Sequence, residues 1–355
     1  MDFTNEIKQL ITSYLKHTEM LFTVLEEEKA ALCQQNEEIL SVIEKNDFQD
    51  SLKGNIFKKD ILPDYIDFMT KRLGTMTSFR IAVDASNGVI GKIMSSLKST
   101  LSVAMVDINF EPDGNFPNHS PNPLEQGSID QIAGIIKKEN LDFGFMFDGD
   151  ADRLFLVDEH GKLVAADVTL LLLAKYMLHK NPGAPIAYNA ICSRAVPEFV
   201  KQWGGVPIRT QVGFVNVRDG VIKNDGVMGG ELSGHYCFKD YFYMDSGVLA
   251  FLTLLNIISK EGKKVSELVA DLSPYFKSAE TNFTIENKEE LLEKIKQKYS
   301  DGKQDFLDGV TVEYQDWWFN VRLSNTEPLL RLTIEANTEA LLQQKKQELS
   351  GFIQA

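Results

Sequence analysis

Short apolar segments alternate with helical stretches from Gly54 onward, and this alternation constrains the fold of the chain more than any other feature. Apolar strands that alternate with helices bury their faces in layers, so the pattern predicts an α/β fold. The predicted strands are residues 80–84, 103–106, 142–147, 185–189, 207–211, 283–285, 310–314, 319–323 and 330–336. The predicted helices are residues 89–97, 129–138, 168–179, 196–203, 288–299 and 338–352.

Changes in the pattern of predicted helices and strands divide the 355 residues into four parts. An α-helical segment is predicted over residues 1–53, and α/β domains are predicted over residues 54–165 and 166–275. The last part, residues 276–355, groups several strands with two helices and is predicted to be α+β. A chain of this length is long enough for two to four domains with cores of their own.

The first 53 residues contain neither glycine nor proline, and their apolar side chains recur at helical spacing. The pattern fits one long amphipathic helix or a hairpin of two helices. Such a helix is marginal alone, because its apolar stripe needs a surface to cover it. We therefore expect it to bind a protein partner or to self-associate; a solvated extension is the alternative.

The composition excludes several classes of partner and of scaffold. With 51 acidic and 37 basic residues the formal charge is −14, which repels nucleic-acid backbones and anionic membrane surfaces. The three cysteines, Cys33, Cys192 and Cys237, are far apart and are predicted to be buried hydrophobic residues rather than disulfide or zinc ligands. No signal-peptide pattern or spanning stretch occurs, so a cytoplasmic location is expected.

The segment Asp148-Gly149-Asp150-Ala151-Asp152-Arg153 follows the predicted strand 142–147 directly. Its three carboxylates alternate along a loop and converge, and ligands that are all oxygen favour a hard divalent cation such as Mg²⁺. A calcium EF-hand is excluded because Arg153 stands at the sixth position, where the loop needs glycine, and because strands flank the segment. A solvated acidic turn is the plainer alternative.

Two further segments carry binding chemistry. In Gly229-Gly230-Glu231-Leu232-Ser233-Gly234-His235, glycines allow close approach of a ligand, while Glu231 and Ser233 suit sugar hydroxyls and His235 adds a hydrogen-bonding or proton-transfer group. In Arg322-Leu323-Ser324-Asn325-Thr326-Glu327-Pro328, polar side chains and turn N–H groups suit a phosphate dianion, as does the nearby Arg331. Each segment alone also fits an ordinary turn.

In this order, and with the segment Gly114–Pro123, these loops resemble the α-D-phosphohexomutases, which include phosphomannomutase and phosphoglucomutase. The resemblance runs from about Gly54 to the C-terminus and implies that the protein binds Mg²⁺ and a hexose phosphate. It implies Asp148, Asp150 and Asp152 as metal ligands, with Arg153 stabilising charge. It also implies Glu231, Ser233 and His235 as sugar-binding residues, and Arg322, Ser324, Asn325 and Thr326 as phosphate-binding residues.

The family also places a phosphoserine loop, T/S-x-S-H-N-P, in its first domain, and no such segment occurs in these 355 residues. Ile191 stands where the family pattern has lysine, and Phe214 stands where many relatives have histidine. We therefore expect a hexose-phosphate binder that is not a complete mutase by itself. The alternatives are a divided mutase completed by a partner chain and a non-catalytic adaptor that acts through its N-terminal helices.

Overall fold

The computed structural model describes residues 57–74, 76–285, 287–323 and 329–354, together with Glu38, Leu40, Ser41, Glu44 and Lys45. Residues 1–60 and 61–355 form two separate compact units. The five isolated residues of the first unit are helical. The rest of the helical segment predicted over residues 1–53 lies outside the described residues.

The first sheet has the strand order β2-β1-β3-β4, in which β1 is parallel to both β2 and β3 and β4 is antiparallel to β3. Its elements are α1 (Leu62–Thr70), β1 (Phe79–Asp84), α2 (Gly91–Lys98), β2 (Val103–Ile108), α3 (Asp130–Glu139), β3 (Phe143–Phe147) and β4 (Leu154–Val157). The five residues of β3 are all buried. Because β1 and β3 are parallel, the residues that follow Asp84 and Phe147 lie at the same edge of the sheet.

The second sheet has the order β6-β5-β7-β8-β9. Its elements are α4 (Ala166–Lys180), β5 (Pro185–Asn189), α5 (Ala195–Gln202), β6 (Val206–Thr210), α6 (Phe214–Lys223), β7 (Met228–Gly230), β8 (Tyr236–Phe238), β9 (Met244–Asp245), α7 (Gly247–Glu261) and α8 (Val265–Ala270). One hydrophobic cluster joins it to the first sheet. Within that cluster the ring centroids of Phe145 on β3 and Phe251 on α7 are 4.8 Å apart.

The third sheet is antiparallel and has the order β10-β15-β14-β13-β12, with β11 also paired to β15. Its elements are β10 (Phe276–Lys277), β11 (Thr281–Phe283), α9 (Lys288–Lys298), β12 (Lys303–Asp305), β13 (Val310–Glu313), β14 (Trp317–Leu323), β15 (Leu330–Ala336) and α10 (Glu339–Gln354). The helices cover one face over a separate apolar core. Five polar or charged residues of these strands are also buried, namely Thr311, Asn320, Arg322, Thr333 and Glu335.

The predicted fold class, two α/β layers followed by an α+β part, is confirmed. Cys192 and Cys237 are buried and free, as predicted, whereas Cys33 lies outside the described residues. The strand predicted over residues 283–285 was placed wrongly: the pairing with β15 begins at Thr281 and ends at Phe283. No helix in the described part of the chain is both long and apolar enough to cross a membrane.

Candidate functional site

The six residues from Asp148 to Arg153, called here the metal loop, connect the antiparallel strands β3 and β4. One oxygen from each of Asp148, Asp150 and Asp152 lies within 4.8 Å of the others. The side chain of Asp148 is buried, that of Asp152 is half-buried and that of Asp150 is exposed. The structure therefore brings the three predicted metal ligands together in a loop that is open to solvent on one side.

The electrostatics of the metal loop suit a hard divalent cation. Arg153 donates from Nε to Asp148 at 2.5 Å and from its backbone N–H at 3.1 Å. Burial raises the pKa of Asp148 to about 6, although the Arg153 guanidinium acts in the opposite direction. Within the described residues, Oδ1 of Asp152 is buried and accepts no hydrogen bond. A cation that coordinates oxygen would satisfy this atom and offset the desolvation of Asp148.

The turn after β1 holds the metal loop through close backbone contacts. The backbone N–H of Val89 donates to the carbonyl oxygen of Gly149 at 3.1 Å. The two backbones approach so closely that a Cβ on Gly88 would lie 2.3 Å from that same oxygen. Nη1 of Arg153 lies 3.4 Å from Oδ1 of Asn122, which belongs to a neighbouring loop. These contacts fix the position of the loop relative to the first sheet.

The sugar loop, residues 231–235, connects β7 to β8. Ser233 Oγ makes a close hydrogen bond with Glu231 and lies 2.7 Å from Nδ1 of His235. The same nitrogen lies 3.1 Å from Oε1 of Glu231. The predicted sugar-binding side chains are therefore neighbours, and together they offer a carboxylate, a hydroxyl and an imidazole.

Two kinds of contact join the metal loop to the sugar loop. Nε2 of His235 lies 3.3 Å from Oδ2 of Asp152. The backbones also meet, since Leu154 N–H donates to the carbonyl of Gly234 at 3.1 Å. Burial opposes the charged imidazolium, but hydrogen bonds and charges from Asp152 and Glu231 outweigh it and raise the pKa of His235 to about 9. The two loops are therefore in direct contact, and the raised pKa of His235 favours its charged form at neutral pH.

The predicted phosphate segment is described only in part. Ser324, Asn325 and Thr326 lie outside the described residues. Arg322 is buried on β14 and donates from Nη2 to Oε2 of Glu280 at 2.8 Å. Arg322 is therefore held by an acidic residue that the sequence did not single out.

The two substitutions noted in the sequence occupy different surroundings. Ile191 is buried in the loop that follows β5. Phe214 begins α6, and its ring centroid lies 5.6 Å from that of His235 at an interplanar angle of 37°. Phe214 therefore presents an aromatic ring to the sugar loop where a histidine would present a polar one.

Sequence reasoning missed Asp245. Its Oδ2 lies 4.0 Å from Nε2 of His235, and Asp152, His235 and Asp245 form a second group whose ligand atoms lie within 4.8 Å of one another. The available signal was its place directly before Ser246, which caps the N-terminus of α7 by accepting from Leu249 N–H at 3.1 Å.

A buried polar cluster behind the metal loop was also missed. Asp84 at the end of β1 is fully buried and lies 3.1 Å from Nε2 of His119, and hydrogen bonding to Asp84 raises the pKa of that histidine. Ser86 N–H donates to Asp84 at 2.8 Å, and Ser86 Oγ donates at 2.5 Å to the carbonyl of Phe147. The cluster therefore reaches the residue before Asp148. The available sequence signal was Asp84, a lone aspartate at the end of an apolar strand.

Comparison with known proteins assigns this arrangement to one protein family. Three family models of phosphoglucomutase/phosphomannomutase match: alpha/beta/alpha domain II over residues 63–161, alpha/beta/alpha domain III over residues 165–276 and the C-terminal domain over residues 280–351. A phosphomannomutase of Methanocaldococcus jannaschii is 36% identical over 324 residues, which cover 89% of this chain and 72% of the relative. A phosphomannomutase/phosphoglucomutase of Pseudomonas aeruginosa is 32% identical over 88% of this chain and 69% of its own length.

Solved structures show a likeness to the same family. A phosphoglucomutase/phosphomannomutase family protein from Burkholderia thailandensis has a TM-score of 0.81 at 29% identity, covering 90% of this chain and 69% of that chain. An N-acetylphosphoglucosamine mutase of Aspergillus fumigatus, solved with GlcNAc-6P and magnesium, shares the fold with a TM-score of 0.57 at 14% identity, covering 82% of this chain and 68% of that one. The chain belongs to the phosphoglucomutase/phosphomannomutase family. The M. jannaschii relative matches 89% of this chain, which is more than residues 54–355 supply, so the sequence likeness begins before residue 54.

Proposed function

We propose that this chain binds a hexose phosphate together with Mg²⁺ in the site formed by the metal loop and the sugar loop. The observation that carries the proposal is the contact between Asp152 and His235, at 3.3 Å, which joins a triplet of carboxylates to a set of hydroxyl-binding side chains. Relatives named phosphomannomutase and phosphoglucomutase support the same ligand class, and the A. fumigatus mutase was solved with a hexosamine phosphate and magnesium.

Each predicted residue has a distinct role in this proposal. Asp148, Asp150 and Asp152 hold Mg²⁺, which supplies positive charge next to a phosphate. Arg153 stabilises negative charge beside them. Glu231 accepts hydrogen bonds from sugar hydroxyls, while Ser233 and His235 complete that set.

The phosphate end of the ligand is assigned to the third sheet. In the proposal, Arg322 binds the phosphate together with Ser324, Asn325 and Thr326, through charge-assisted hydrogen bonds and turn N–H groups. The sugar would then lie between this segment and the sugar loop.

We also propose that these 355 residues bind without completing a mutase cycle. Phosphoryl transfer needs a donor besides positioned charge, and the T/S-x-S-H-N-P segment that serves as donor in the family does not occur in this sequence. Ile191 and Phe214, both apolar, point the same way because each removes a polar group from the sugar-phosphate side. A partner chain that supplies the donor would make the site part of a divided mutase.

A thermal-shift experiment tests binding. Glucose 1-phosphate or mannose 1-phosphate is expected to raise the Tm of the chain when Mg²⁺ is present, because a ligand that binds only the folded state stabilises it. The Arg322→Ala variant is expected to lose this shift. The matched control, Arg80→Ala, removes an exposed arginine from β1 and is expected to keep it. If no hexose phosphate shifts the wild-type Tm, the binding proposal is wrong.

A mutase assay tests the second part. The purified chain is expected to show no interconversion of hexose 1- and 6-phosphates, even with Mg²⁺ and a bisphosphorylated sugar present. A phosphoserine domain from a relative is then added as a separate polypeptide. Turnover in its presence supports a divided mutase, and continued inactivity supports a binding protein. Turnover by the purified chain alone would contradict the proposal.

A further inference from the structure

Two arginines meet on the third sheet. Arg322 on β14 and Arg331 on β15 are directly opposite each other in the antiparallel register. Like charges at opposite positions of a sheet destabilise it. The difficulty is greatest for Arg322, which is only 4% exposed, because a buried charge needs a partner. A pair of this kind is kept together only where something compensates its charge.

Glu280 supplies that compensation. Its Oε2 lies 2.8 Å from Nη2 of Arg322, and its Oε1 lies 3.3 Å from Nη1 of Arg331. The backbone fixes its place, since β11 begins at the next residue and pairs Asn282 with Arg331. One carboxylate thus bridges both guanidinium groups.

The bridge does not use every donor of Arg322. A guanidinium has five N–H donors, and within the described residues Nε of Arg322 is buried and donates no hydrogen bond. Along the sequence the two arginines flank the predicted phosphate segment, residues 324–328.

We propose that Glu280 is a positioning residue for phosphate recognition, which holds Arg322 beside Arg331 so that the remaining donors of Arg322 are directed at a phosphate dianion. The inference rests on the proposed function and deepens it by naming the residue that orders the phosphate site. Pre-ordering of this kind strengthens binding, because the ligand does not have to bring two repelling side chains together. Glu280 touches the arginines and acts on phosphate only through them.

A different role for Glu280 predicts the opposite change in anion affinity when Glu280 is removed. If Glu280 merely occupied the place of the phosphate, its removal would take away a repelling charge and would strengthen anion binding. If Glu280 positions the arginines, its removal lets them separate and weakens anion binding. The direction of the change therefore decides between the two roles.

Calorimetric titration with glucose 1-phosphate in the presence of Mg²⁺ measures this direction. Glu280→Ala is expected to weaken binding about tenfold, because the ligand must then order the arginine side chains itself. Glu280→Gln keeps a similar shape and one carbonyl acceptor, and it is expected to retain part of the affinity. Glu289→Ala removes an exposed acid from α9 of the same sheet unit and serves as the control for net charge; its affinity is expected to equal that of the wild type.

The outcomes separate this inference from the proposed function. Circular dichroism of each variant establishes that it is folded before the titration. Unchanged or tighter binding by folded Glu280→Ala and Glu280→Gln, with a wild-type chain that binds, overturns the positioning role alone. Absence of binding by the wild-type chain overturns the proposed function and this inference with it.

Discussion

At the scale of single residues, the charges of the metal loop are only partly balanced by its own side chains. Three aspartates and one arginine leave a net charge of −2 at this point. Arg153 binds Asp148 closely, and yet burial still raises the pKa of Asp148 to about 6. A divalent cation would bring the cluster to neutrality, since it supplies the missing two charges.

Removal of one ligand tests this balance. Asp150→Asn is expected to weaken Mg²⁺ binding at least about tenfold, because even outer partners of metal sites cost this much when they are lost. Asp150 is exposed, so the substitution leaves the buried contact between Asp148 and Arg153 in place. Isothermal titration with MgCl₂ measures the change, and Glu125→Gln, another exposed acid of this region, serves as the control. Equal affinities of Asp150→Asn and wild type would contradict the assignment.

At the scale of elements, the metal loop depends on the turn that precedes α2. Val89 N–H binds the carbonyl of Gly149 at 3.1 Å, and Gly88 has no room for a side chain against the same oxygen. Ala151 adopts a positive φ of 64°, which tightens the loop further. The loop is thus shaped by a neighbouring element as much as by its own sequence.

Two glycine substitutions separate this close approach from general effects of glycine. Gly88→Ala is expected to lower the free energy of unfolding by about 1–3 kcal/mol, as overpacking does, and to weaken Mg²⁺ binding because it displaces Gly149. Gly134→Ala lies in the middle of α3 with open space around it, and it is expected to add about 0.5–1 kcal/mol of stability. Urea unfolding measures both. A Gly88→Ala variant with wild-type stability and wild-type Mg²⁺ affinity would refute the role of the turn.

Local patterns predicted some elements well and missed others for physical reasons. The helix predicted over residues 168–179 is α4, Ala166–Lys180, and the strand predicted over residues 80–84 is β1. By contrast, α7 was missed because twelve of its fifteen residues are buried, so its apolar residues show no helical stripe. β4 was missed because all four of its residues are buried and apolar, so it shows no alternation of apolar and polar side chains.

The candidate site was predictable in its parts but not in its assembly. The carboxylate triplet and the sugar loop are visible because their residues are close in the sequence. The contact between Asp152 and His235 joins residues far apart, and it depends on the backbone pairing of Leu154 with Gly234. Glu280 was missed for the same reason, since only the pairing of β11 with β15 brings it to Arg322.

At the scale of the whole described unit, polar contacts join the third sheet to the second. Lys277 on β10 lies 2.8 Å from the buried Asp167 of α4, which also accepts from Ser193 N–H at 3.0 Å. Arg209 on β6 binds Asp305 of β12 at 2.8 Å. The third sheet has an apolar core of its own, and these charged contacts connect it to the second sheet.

This attachment predicts a dependence on pH. Burial alone would raise the pKa of Asp167, but the Lys277 ammonium and two backbone N–H groups outweigh it and hold the pKa below its usual range. A carboxyl whose pKa is lowered by folding stabilises the protein above its unfolded pKa of about 3.9 and loses this contribution as the pH falls through the folded value.

Lys277→Met is therefore expected to cost about 3–5 kcal/mol at neutral pH, because it leaves Asp167 buried without its partner. The cost is expected to shrink as the pH falls, because burial without Lys277 raises the pKa of Asp167 in the variant, and to disappear only below the lowered folded pKa of the wild type. Urea unfolding over a pH series measures it. The control Lys303→Met breaks an exposed pair with Glu313 and is expected to cost less than about 1 kcal/mol. A cost that does not vary with pH would show that Asp167 is not the group concerned.

In the proposed function, the metal loop and the sugar loop form one ligand site. Calorimetric titration of the wild-type chain with mannose 1-phosphate, with and without Mg²⁺, tests this claim. If the claim is correct, one molecule binds per chain and Mg²⁺ strengthens the binding, because ligands that share a site with complementary charge favour each other. Absence of binding under both conditions, or an affinity that Mg²⁺ leaves unchanged, would contradict the claim.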